Sequence, residues 1–206
     1  MSLSPTFKNC VTLGKIINMN TKSKFLIPIL LLSISMHSQT LTSDSQQFTR
    51  QDTLRGSITP ERAWWDLNYY HLDISVDPKT KTIKGKNTVR YTVLEPHQIL
   101  QIDLQAPMKL TKAIQDGKEL VISKDGNAHF ITLKKPQSIS GNLEEIELSY
   151  EGQPREAVRA PWDGGISWKK DANGNDFIAS SCQGLGASVW WPNKDHMYDE
   201  VDSMKI

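Results

Sequence analysis

From Tyr70 the chain alternates between apolar and polar residues. Tyr70, Leu72, Ile74 and Val76 are interleaved with His71, Asp73 and Ser75, the period of two expected of a strand with one buried face. Asp77 to Thr80 (DPKT) then reads as a turn. Ile83, Gly85, Asn87, Val89, Tyr91 and Val93 mark a second strand, so the pair predicts a hairpin. Further strands are expected at Ile99 to Leu104, Met108 to Ile114, Leu120 to Ile122, His129 to Leu133 and Leu143 to Tyr150. Asp116-Gly117 and Asp125-Gly126 supply tight-turn dipeptides between them. Nowhere from 63 to 150 do apolar residues hold a helical period for three turns. Short strands at a spacing of roughly ten residues predict an all-β fold, an antiparallel β-sandwich.

After Gly152 the texture changes to Gly, Pro, Asp and Trp. Asp171 to Gly174 reads as a hairpin turn between Ile166–Trp168 and Phe177–Ala179. The run Ser180 to Ser203 (SSCQGLGASVWWPNKDHMYDEVDS) is the most unusual part of the chain. Trp168, Trp190 and Trp191 either cap the end of the core, the favoured reading, or stack on a ligand.

The start of the chain reads as an address. Phe25 to Met36 is apolar, follows Lys22 and Lys24, and leads into polar residues, the layout of a secretory signal peptide. The run is too short for a membrane span, which needs ~20 apolar residues. Residues 1–39 are therefore assigned to the signal region, with Met19 an alternative start and cleavage expected between Ser35 and Thr40. Residues 40–62 read as a flexible leader and 63–206 as the folded domain. The expected location is periplasmic or secreted, with no membrane attachment once the signal is removed. Processing would remove Cys10 and leave Cys182 unpaired, so stability must come from a packed core.

Charge narrows the partners. The formal net charge is +1, but the four lysines before Thr40 face no acid, so acids outnumber bases from Thr40 onward. With no basic excess and no recognition motif, nucleic acid is excluded as a partner class. Catalytic signatures are also missing. No two of His37, His71, His97, His129 and His196 are four residues apart, so the two-His helix motif of zinc hydrolases is absent. His196 and Glu200 have helical spacing, yet two ligands do not make a zinc site. No nucleophile elbow or phosphate loop occurs, and Cys182 has no evident base. On these grounds the expectation is a secreted β domain without its own catalytic or metal-binding residues.

The run Ser180 to Pro192, followed by Asp195, Asp199, Glu200 and Asp202, resembles the end of the N-terminal domain in aminopeptidase N-type zinc metallopeptidases, the group that includes leukotriene hydrolase. WWPNKDHMYDE is similar to a bacterial branch of that family almost as it stands. The strands Tyr70–Ile74, Ile83–Gly85 and Ile102–Leu104 resemble the family's opening hairpin and its Leu-Asp strand, so the resemblance covers about 64 to 206. It departs at Ser181, where the family has Gln, at Ser188 in place of a frequent Arg, and at Val201 in place of Pro.

The resemblance implies the saddle-like β domain of an exported zinc aminopeptidase, forming a wall of the substrate site and a docking face for a catalytic domain. The Gly-x-Met-Glu-Asn and His-Glu-x-x-His motifs of that domain do not occur here, so zinc is expected there and the 206 residues are expected to be inactive alone. Gln183 matches the Gln or Glu that binds the free α-amino group of a peptide substrate. A fixed acceptor selects a terminal ammonium and orients it. The competing reading has Gln183 merely bonding backbone at a strand end. The alternative for the whole chain is a stand-alone β-sandwich binding module, with Trp162, Trp168, Trp190 and Trp191 as an aromatic platform for glycans or proteins.

Overall fold

The computed structural model describes residues 47–206. The signal region, Met19, Cys10, His37 and the first part of the leader lie outside the described residues.

Strands β1 (Trp65–Asp77) and β2 (Thr82–Val93) form the hairpin expected from the alternation, paired from Trp65↔Val93 to Asp77↔Thr82. Asp77 shapes the turn by accepting from the Lys79 N–H at 2.9 Å and the Thr80 hydroxyl at 2.8 Å. A bulge between Leu67 and Tyr69 shifts the register of β1, and beyond it Tyr70 and Leu72 are buried.

The remaining strands are β3 (His97–Asp103), β4 (Lys109–Gln115), β5 (Lys118–Glu119), β6 (Val121–Asp125), β7 (Ala128–Gln137), β8 (Leu143–Gly152), β9 (Gly165–Lys170), β10 (Asp176–Ser181) and β11 (Ser203–Lys205). They build a six-stranded sheet in the order β11-β1-β2-β8-β4-β5, a three-stranded sheet β3-β7-β6, and the hairpin β9-β10. All pairs are antiparallel except β11, which runs parallel to β1.

One core joins the two larger sheets. Val89, Tyr91, Ile146 and Leu148 from the first and Leu100, Ile102 and Ile131 from the second are each fully buried in a single cluster. At roughly 25 cal/mol per Å2 of apolar surface this burial is the main stabilising term. Trp64 and Trp65 enter the core at its start, each edge-on to Tyr91 at 5.7 and 5.6 Å.

The described part of the expected flexible leader, residues 47–62, is instead folded with Ala63. These residues contain α1 (Arg50–Gly56) and α2 (Pro60–Ala63). A capping box starts α1: the Thr49 hydroxyl accepts from the Asp52 N–H, and the Asp52 carboxylate accepts from the Thr49 N–H at 2.8 Å. Pro60 occupies the first turn of α2, where its missing N–H costs nothing. Leu54 is buried and Arg62 is wholly buried, so this segment is packed onto the sandwich.

Candidate functional site: the turn carrying Gln183

Leaving β10, the chain makes a tight turn in which the Leu185 and Gly186 N–H groups both donate to the Cys182 carbonyl, at 3.2 and 2.9 Å. Gly184 and Gly186 take positive φ, 70° and 79°, which non-glycine residues rarely adopt. A short 3-10 helix (Ala187–Val189) follows. Gln183 sits on this turn, exposed, and its side chain makes no hydrogen bond among the described residues. The backbone-bonding reading therefore has no counterpart among the described residues.

Consecutive carbonyls of the turn are held by separate elements. Arg55 of α1 donates to the Gly184 carbonyl at 2.8 Å, and Gln105, just after β3, donates to the Leu185 carbonyl at 2.5 Å and to the Ser188 hydroxyl at 2.9 Å. The Ser188 hydroxyl donates to Asp195 at 2.5 Å. Gly186 packs so closely on the Asp195 carboxylate that a Cβ there would overlap it. Asn87, on the inward row of β2, donates to the Pro192 carbonyl at 2.8 Å and ties the following segment to the large sheet. A small cleft of about 170 Å3 lies beside the turn, lined in part by Asp52, Arg55, Gln105, Ser188 and Asp195.

Two buried ion pairs anchor the surroundings. Arg62 pairs with Asp103 at 2.5 Å and donates to the carbonyls of Leu54, Arg55 and Ser57 at 2.8, 3.2 and 2.9 Å. Asp103 also accepts from the Asp195 N–H at 3.1 Å. Burial raises the Asp103 carboxyl above its ordinary value, against the opposing pull of Arg62. Lys194 donates to the Trp65 carbonyl at 2.6 Å and to Asp199 at 2.5 Å, with its ammonium 4.0 Å from the Trp65 ring centre. Burial lowers the Lys194 value, and Asp199 opposes that shift.

Other candidates fall into structural roles. His196 lies 3.2 Å from the Gly56 carbonyl and edge-on to Tyr198, while Glu200 is exposed. No group of three His, Cys, Asp or Glu among the described residues has the arrangement to hold a metal ion. Burial pushes the Cys182 thiol up, which disfavours the nucleophilic thiolate. Trp191 is buried against Tyr70, ring centres 5.0 Å apart, and Trp168 and Trp190 pack on the core as expected of a cap. Only Trp162 of the four proposed platform residues is strongly exposed, at 76%. The four tryptophans do not form an aromatic platform.

Sequence reasoning singled out Gln183 but not Arg55, Arg62, Gln105 and Lys194, which hold the turn and its surroundings. The helix that carries Arg55 was recoverable, since Thr49 and Asp52 have the spacing of a capping box, but the reach of Arg55 to Gly184 was not. Gln105 and Arg62 act through long-range contacts and leave no local signal.

No protein-family model and no curated protein sequence matches the chain. Solved structures do share its fold. An M1 zinc metallopeptidase from Deinococcus radiodurans, a mutant bound to a Tyr-Ser-Ala substrate, is 22% identical with a TM-score of 0.53, covering 72% of this chain and 34% of that one. A two-domain M1 zinc metallopeptidase mutant bound to L-tryptophan is 21% identical, TM-score 0.54, covering 72% and 34%. Native yeast LTA4 hydrolase is 13% identical, TM-score 0.54, covering 75% and 26%. The chain thus has the all-β fold of an M1-peptidase N-terminal domain, and matches about a third or less of those proteins' length.

Proposed function

We propose that this chain is the substrate-side β domain of an exported zinc aminopeptidase, and that Gln183 binds the free α-amino group of a peptide. The observation that carries the reading is the placement of Gln183: on an exposed turn with both following carbonyls held, its amide without a partner among the described residues, on a fold shared with M1 peptidases. The Gln183 carbonyl oxygen is an acceptor suited to a terminal ammonium, and a fixed turn limits the entropy lost when it binds. Zinc and the groups that cleave the peptide bond belong to a peptidase domain working with this one. Export follows from the signal-peptide pattern at the start of the chain.

The test is made on the protein as its own cells produce it, comparing peptides with free and acetylated N-termini. Gln183→Ala is expected to raise KM and to shrink the preference for a free amine about tenfold, the worth of one hydrogen bond to a charged group. Unchanged KM and unchanged preference would reject the role of Gln183. Zinc-dependent hydrolysis of an amino-acid amide by the isolated 206 residues would reject the need for a second domain.

A further inference from the structure

We infer that Arg55 is a positioning residue: α1 is a strap that fixes the Gln183 turn through the bond from Arg55 to the Gly184 carbonyl. The inference rests on the proposed function only for its consequence in catalysis. Its physical content is independent of what Gln183 binds.

Helix α1 is itself firmly held. At its start the Arg50 guanidinium and the Gln51 amide both donate to the Asp125 carboxylate, at 2.5 and 2.9 Å, tying it to the end of β6. At its end Arg62 binds three carbonyls, and Gln101 donates to the Leu54 carbonyl at 3.1 Å. Leu54 supplies the apolar contact. From this base Arg55 reaches a residue 129 positions away in sequence and meets the carbonyl directly after Gln183.

The turn needs such a partner. Its internal bonds converge on one acceptor, the Cys182 carbonyl, and leave the Gly184 and Leu185 carbonyls without backbone donors among the described residues. Glycines at 184 and 186 give the backbone unusual freedom. Gln105 fixes the Leu185 carbonyl from the sandwich side. Arg55 fixes the Gly184 carbonyl from α1, so two successive peptide planes are held by elements that are rigid for separate reasons. A guanidinium bond to a carbonyl is charge-assisted and outlasts a neutral one.

Hydrogen exchange of the 206-residue protein tests this at the Leu185 and Gly186 amides. Arg55→Met is expected to speed their exchange about fivefold while β2 and β8 keep the parent rates. Arg55→Lys, which can still donate, is expected to restore most of the protection. Arg50→Met, which loosens the far end of α1 but spares the bond to Gly184, is expected to have less effect on the turn. The assignment is overturned if Arg55→Met leaves the turn within twofold of the parent, if it speeds β2 and β8 equally, or if Arg50→Met matches it. Under the proposed function, Arg55→Met in the native protein should also raise KM with kcat little changed. A turn that loosens without any change in KM would retain the strap and reject the substrate role of Gln183.

Discussion

Replacing Arg62 by Met tests how the strap and the sandwich are joined. Arg62 is wholly buried and Asp103 nearly so, with 2.5 Å between them. Met keeps much of the aliphatic volume but removes the guanidinium. Asp103 would retain the Gln101 amide at 3.1 Å and the Asp195 N–H at 3.1 Å, and lose the Arg62 cation. The Leu54 carbonyl would keep the Gln101 amide, and those of Arg55 and Ser57 lie near enough to solvent to find water. The dominant loss is therefore the stranded carboxylate, about 3–5 kcal/mol for a broken buried pair. That is a large share of the roughly 5–15 kcal/mol of a whole domain. At 2–4 °C per kcal/mol the melting temperature should fall by about 10 °C.

The sign of the pH effect follows from the same group. Burial already raises the Asp103 carboxyl in the folded state, and removing Arg62 raises it further. A raised carboxyl binds its proton more readily folded than unfolded, so the variant loses stability as pH rises through the usual carboxylate range and regains it as pH falls. Urea unfolding at neutral and at mildly acidic pH measures both quantities. Arg62→Met/Asp103→Leu, which removes both charges, should recover at least half of the loss. A loss under about 1 kcal/mol for the single variant, or no recovery in the double one, would show that the pair is not what joins α1 to β3.

Two further outcomes follow from particular contacts. Gly186→Ala should cost about 2–3 kcal/mol in urea unfolding, at least twice the cost of Gly117→Ala, because both have positive φ but only Gly186 faces the Asp195 carboxylate; equal costs would show that the carboxylate does not constrain the turn. His129 is buried on β7, and burial, with Lys124 across the strand pair, holds its imidazole at about 4 against an ordinary value of 6.5. The unfolded chain takes that proton first, so stability should fall by about 3 kcal/mol as pH drops from 6.5 to 4; His129→Leu should flatten that limb, and an unchanged slope would refute the assignment.

The sandwich was legible because its strands obey local rules. A strand with one buried face must alternate, and tight hairpins need Asp-Pro or Asp-Gly, so β1 to β4, β6 to β8 and the 171–174 turn are written in short windows of sequence. The site was legible only in part. Gln183 is marked by the resemblance of its run, but what gives it a fixed position is contributed by Arg55 and Gln105, distant in sequence by 129 and 80 positions from the carbonyls they bind. Neither residue has a periodicity to betray it, since each acts once, through its tip. The leader was misread for a related reason. Its composition is polar because α1 buries mainly Leu54 and bonds through Arg50, Gln51 and Arg55. A segment whose attachment is chiefly polar looks disordered to any reading that equates order with apolar periodicity. The capping box at Thr49 was the one local mark that it folds. That polar attachment also explains why α1 can matter to the turn without belonging to the core: hydrogen bonds direct a loop where apolar contact would only adhere to it.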